Sequence, residues 1–125
     1  MKIRIKDNSI RIRLTRSEID KFGREGNVSS STEFGSSTFT YAIRVDERVK
    51  ELSAELVNNT LTMFVPLSVA RQLMETDAIG FNNKMIFPNG NSLFLLIEKD
   101  FKCLDNEVLE DQSDNFDNPL ATCTT

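Results

Sequence analysis

The stretch opening at residue 2 reads KIRIK and the one opening at residue 9 reads SIRIRL, so Lys2, Arg4, Arg11 and Arg13 alternate with isoleucines. Alternation with a period of two puts Ile3, Ile5, Ile10 and Ile12 on one face of a β-hairpin and the cations on the other. A two-residue turn at Asp7 and Asn8 then sets Arg4 opposite Arg11 and Lys2 opposite Arg13, at a spacing where like charges repel. That face calls for an anion. The counter-charge comes either from a neighbouring strand, through Glu51 and Glu55 or through Glu98 and Asp100, or from a phosphate-bearing ligand, which arginine grips in two-point contacts. The stripe belongs to one part of the chain only, because Thr62 and Phe64 stand where a second copy of Arg11 and Arg13 would fall.

A second group of ionisable residues, Glu98, Lys99, Asp100, Cys103 and Asp105, closes the apolar run Leu93 to Ile97, and strand ends are frequent places for sites. Lys99 alternates away from Glu98 and Asp100. The chain has no histidine, so neither a Ser/His nor a Cys/His pair can form, and Cys103 has no base beyond Lys99 or Lys102. Cys103 and Cys123 are too few for a tetrahedral zinc site without carboxylates or a second chain, and no EF-hand spacing occurs. The five glycines, at 23, 26, 35, 80 and 90, are scattered as stops and turns and make no phosphate loop. These residues point to a binding module, not an enzyme, with no metal and no cofactor. The candidate binding residues are Lys2, Arg4, Arg11, Arg13, Glu98, Asp100 and Cys103.

Elements that position these residues follow from patterning. Thr15 with Glu18 has capping-box spacing ahead of a helix of about two turns, with Gly23 as its stop. Residues 27–34 and 39–45, rich in Thr, Val, Phe and Tyr, form a second hairpin around Gly35 to Thr38. A third runs over 51–57 and 60–65, turning at Asn58 and Asn59. Pro66 opens a second helix with Val69, Ala70 and Leu73 on one side. A fourth hairpin covers 79–87 and 92–101 and turns through Pro88 to Asn91. The run Leu93 to Ile97 is apolar on both faces, which marks a central strand.

Shifting the sequence by 51 residues lays Asp7/Asn8 on Asn58/Asn59, Ile5 on Leu56, Ile10 on Leu61, Ile12 on Met63, Leu14 on Val65, Phe22 on Leu73 and Val28 on Ile79. Each half reads β-β-α-β-β. The expected fold is α+β, mostly β: an internally duplicated, barrel-like domain of about eight strands over 1–104, with repeats near 1–50 and 51–104. Residues 105–125 form an acidic tail, carrying six Asp/Glu and no Lys or Arg.

A chain of 125 residues with 39% hydrophobic and 27% charged residues is a globular domain able to bury its own core. It contains no apolar run long enough to span a bilayer and no signal-peptide pattern at its start, so the expected location is the cytoplasm, with both cysteines reduced. Net charge is −4. Residues 1–50 hold 11 Lys/Arg against 7 Asp/Glu, and residues 51–125 hold 4 against 12. Such polarity suits internal pairing, self-association or an oppositely charged protein partner; an acidic total disfavours nucleic acid, which remains the alternative reading.

Across nearly its whole length the sequence resembles a family of small bacterial proteins known only as a domain of unknown function. KIRIK with NSIRIRLTRSE, Phe39-Thr40-Tyr41, Phe64-Val65-Pro66, Thr76 to Gly80, and Glu98-Lys99-Asp100-Phe101 with Cys103-Leu104 carry the likeness. Half by half, Met63 to Pro66, the helix with Arg71 and Leu73, then Asp77 and Ile79 are similar to the swapped-hairpin fold of transition-state regulators and antitoxin DNA-binding domains. That likeness implies two interlaced halves closing one barrel within a single chain. The helix-to-strand link is shorter here, and Thr76-Asp77 stands in place of that family's Gly-Asp turn.

Overall fold

Alternating strands and two amphipathic helices leave every hairpin with one apolar face, and the computed structural model, which describes residues 1–101 and 114–117, shows how these faces are shared. The order is β1 (Lys2–Lys6), β2 (Ser9–Leu14), α1 (Arg16–Glu25), β3 (Asn27–Glu33), β4 (Thr38–Val45), β5 (Ser53–Val57), β6 (Thr60–Val65), α2 (Leu67–Glu75), β7 (Gly80–Ile86) and β8 (Ser92–Lys99). The strands form two four-stranded sheets, β1-β2-β8-β7 and β3-β4-β6-β5. The first is called sheet A here and the second sheet B. Each sheet is two antiparallel hairpins, one from each half of the chain, joined by a central parallel ladder, β2 with β8 and β4 with β6.

Closure into a barrel is not found. β1 and β7 end sheet A and β3 and β5 end sheet B, because each half gives one hairpin to each sheet and both parallel joints lie at the sheet centres. Core residues come from both sheets and both helices: Ile10, Ile12, Leu14, Phe22, Ile43, Met63, Val65, Leu73, Leu95 and Ile97 all belong to one buried cluster. Leu93 to Ile97 lies, as expected, in the interior strand β8.

The hairpin turns depend on residues that tolerate left-handed backbone. Asp7 has φ 48°, Asn58 50° and Asn59 60°, which is the twist a two-residue turn between right-handed strands requires. Helix α1 starts with the expected capping box. Thr15 accepts from the Glu18 backbone N–H, and the Glu18 carboxylate accepts from the Thr15 N–H at 2.9 Å. Burial pushes the Glu18 carboxyl up, while hydrogen bonds from the Met1 amine and from Thr15 more than offset this and hold it below the usual range. The helix runs past Gly23 and ends at Gly26, whose φ of 76° permits a left-handed cap donating to the Phe22 carbonyl. Gly23 instead lets the two helices approach, since a Cβ there would overlap the flexible end of Met74. Thr15→Ala is expected to lower stability by about 1 kcal/mol in urea melts; an unchanged midpoint would mean that Glu18 holds the helix start without its partner.

The two halves correspond closely in backbone detail. Phe94 N–H donates to Asn8 O and Thr40 N–H to Asn59 O, both at 3.0 Å. Asp100 N–H to Leu14 O at 2.8 Å is matched by Asp46 N–H to Val65 O at 3.0 Å. The offset is 51 residues through each first hairpin and rises to 53 at β3/β7 and 54 at β4/β8, as Val28↔Ile43 against Phe81↔Ile97 shows. Val28 therefore corresponds to Phe81, not to Ile79, since the chain between α2 and β7 is longer than that between α1 and β3. No helix among the described residues is long and apolar enough to cross a membrane.

Candidate functional site

Strand alternation sends Ile10, Ile12 and Leu14 of β2 inward and Arg11 and Arg13 outward. The turn register sets Lys2 against Arg13 and Arg4 against Arg11, so the expected like-charge pairs are real. Across the other edge of β2 the parallel ladder aligns Arg13 with Glu98. Glu98 projects from the middle of sheet A and is only 5% exposed. Its Oε1 accepts from Arg11 Nε at 2.6 Å and from Arg13 Nε at 2.9 Å. Lys2 Nζ lies 3.0 Å from Asp100 Oδ2 just beyond the strand. Arg4 and Arg11 take part in further polar interactions.

Of the two sets of carboxylates named for the counter-charge, the fold uses Glu98 and Asp100. Glu55 lies on β5, in the other sheet. Six of the seven candidate binding residues thus gather on or beside one face; Cys103 lies outside the described residues, as do Cys123 and most of the acidic tail. Lys99, on the opposite side of β8, donates to the Thr76 carbonyl at 2.9 Å. Among the described residues no group of His, Cys, Asp and Glu is placed to hold a metal ion.

A glycine that the sequence marks only as a stop or turn shapes this site. Gly80 of β7 is aligned with Glu98, and a Cβ on it would sit 2.7 Å from both the Glu98 Cβ and the Ile97 carbonyl oxygen. The glycine lets β7 close over the root of Glu98. Its signal was present, since a glycine heading a strand often marks close backbone approach.

Around the cluster the outer face of sheet A is cationic at both edges and apolar between. Lys6 extends the row on β1, Lys84 stands on β7 opposite Phe94, and Phe94 and Ile86 are 41% and 71% exposed. The equivalent positions in sheet B are different in kind: Ser53 for Lys2, Glu55 for Arg4, Thr62 for Arg11, Phe64 for Arg13 and Arg44 for Glu98, by the registers above. The same backbone is therefore built in sheet B without an ion cluster.

An apolar groove of about 430 Å³ opens at the turn end of the two sheets, lined by Ile5, Ile10, Phe39, Leu56, Leu61 and Leu93 among others. Nothing local in the sequence points to it, because its walls come from six different strands. Residues 1–120 match a family whose description assigns no function. No curated protein and no solved structure matches the chain.

Proposed function

The chain belongs to DUF7009, a family of unknown function, and from that premise we propose, on the site alone, a non-enzymatic interaction module whose sheet A outer face docks an acidic, partly apolar segment of a protein partner. The observation that carries this reading is the contrast between the sheets. Sheet B reaches the same fold with Ser53, Glu55, Thr62 and Phe64 where sheet A has Lys2, Arg4, Arg11 and Arg13, so the fold does not need those cations. Exposed Phe94, diagonal to Arg11 across the ladder, and exposed Ile86, next to Lys84 on β7, have the makeup of a protein interface, in which apolar anchors and cationic side chains combine. Glu98 orients Arg11 and Arg13 beforehand, which lowers the entropic cost of gripping a carboxylate.

The matched backbone hydrogen bonds support an origin of both halves from one β-β-α-β-β unit, and the exchange of hairpins between sheets supports the swapped-hairpin likeness. On that reading the cations on sheet A were acquired or kept after the halves diverged. Nucleic acid is the second reading, favoured by the row of basic side chains along β1 and β2 and disfavoured by the acidic total.

Fluorescence anisotropy with a labelled peptide alternating Asp/Glu with Leu/Phe tests the proposal, with single-stranded and duplex DNA of similar charge alongside. The peptide is expected to bind, more weakly as salt rises, and Arg4→Glu with Lys84→Glu, at opposite edges of the face, weakens it about tenfold. DNA binding tighter than peptide binding transfers the site to nucleic acid. Peptide affinity indifferent to both charge reversals removes the proposal.

A further inference from the structure

The apolar groove lies apart from the ion cluster, and its walls have an internal relation. Ile5 and Leu56, Ile10 and Leu61, and Phe39 and Leu93 all line it, and each pair occupies equivalent positions in the two halves, as the ladders Ile5↔Ile10 with Leu56↔Leu61 show for the first hairpins. The groove therefore straddles the approximate two-fold relation between the halves. Its rims stand on edge strands: Ile5 of β1 is 58% exposed and Leu56 of β5 is 68% exposed. Edge strands with exposed apolar side chains are ready templates for association.

We propose that a second copy of this chain covers the groove in a two-fold dimer, with the β1 rim of each copy laid on the β5 rim of the other. Charge placement selects this occupant. Lys6 follows Ile5 on β1, whereas Glu55 precedes Leu56 on β5 and borders the groove. In an isologous interface residue i meets j and j meets i, so this alignment brings Lys6 and Glu55 together twice around a shared apolar centre. A β1-on-β1 arrangement centred on Ile5 would instead oppose Lys6 to Arg4. Burial of four exposed rim side chains, Ile5 and Leu56 from each copy, supplies the apolar core, and polar Asn8, Asn58 and Asn59 at the turns form the rim usual for such contacts.

Sedimentation equilibrium of the whole chain over a wide concentration range, with native mass spectrometry, tests the dimer. Wild-type protein is expected to dimerise. Ile5→Glu with Leu56→Glu raises the dissociation constant by more than about tenfold, and circular dichroism melts stay near wild type because both side chains are already more than half exposed. Lys6→Glu and Glu55→Lys each weaken the dimer, and the combined variant restores it, a rescue that no other occupant would produce. A monomer at every concentration overturns the proposal. So does a dimer indifferent to the Ile5 and Leu56 variants, and so does a monomer holding an apolar small molecule that those variants release. Lys84 stands on β7, a strand this interface does not use, so the acidic-peptide titration with Lys84→Glu alone and the dimer measurement fail separately.

Discussion

Glu98→Ala is expected to lower the stability of the protein by about 3–5 kcal/mol, the range found when one member of a buried ion pair is removed. Thermal midpoints should fall by roughly 10–25 °C for a chain of this size. Both arginines that the carboxylate holds are themselves well covered, with side chains 13% exposed for Arg11 and 28% for Arg13. Deleting the carboxylate leaves two guanidinium groups side by side in a partly desolvated site, and it also restores the repulsion of Lys2 and Arg4 across the ladder. Glu98→Gln retains an acceptor oxygen and should lose less. The informative control copies the other sheet: Arg11→Thr, Arg13→Phe and Glu98→Arg together install the set Thr62, Phe64 and Arg44 that sheet B uses. This triple variant should recover to within about 1–2 kcal/mol of wild type, since buried ion clusters are commonly replaceable by packed groups. Equal losses in the single and triple variants would mean that the cations stabilise the sheet, and would take away the contrast on which the proposed function rests.

The second large effect is expected at Gly80. A methyl group there meets the Ile97 carbonyl oxygen and the Glu98 Cβ at 2.7 Å and the Glu98 Cα at 3.1 Å, so the obstruction is mostly backbone, which cannot rotate aside. Gly80→Ala should cost about 2 kcal/mol, within the usual penalty for overfilling a packed site, although alanine suits a strand no worse than glycine does. The Asn27↔Arg44 pair occupies the matching place in sheet B, so a side chain is compatible with this backbone where no buried carboxylate has to be covered. The glycine is consequently tied to Glu98. A double-mutant cycle tests that link: Gly80→Ala should cost less in the Glu98→Ala background, with a coupling above about 0.5 kcal/mol, whereas additive losses would separate the two residues.

Much of this protein is legible from residues close together in sequence. Alternation in KIRIK and SIRIRL, a two-residue turn able to adopt left-handed backbone and the Thr15/Glu18 capping box specify the first hairpin and the start of α1. They also specify the opposition of Lys2 to Arg13 and of Arg4 to Arg11, because register within a hairpin follows from its turn. Sequence places the end of α1 at Gly23 and the structure places it at Gly26, since a glycine can stop a helix or let a neighbour approach, and only the neighbour, Met74, distinguishes the two.

Partnership between distant strands carries no such local signal. Glu55 and Glu98 stand equally well on alternating strands in the sequence; the parallel ladder of β2 with β8 makes Glu98 the partner and leaves Glu55 at the groove. Likewise the 51-residue shift aligns turns and apolar positions of the two parts of the sequence, but whether hairpins stay together or are exchanged between sheets depends on which arrangement buries all four apolar faces at once. Local patterning specifies the hairpins, their faces and the charges upon them. Which carboxylate meets which arginine, where the groove opens and that the sheets remain two are set by contacts between distant segments, because those outcomes belong to the burial of the whole chain and to no segment of it.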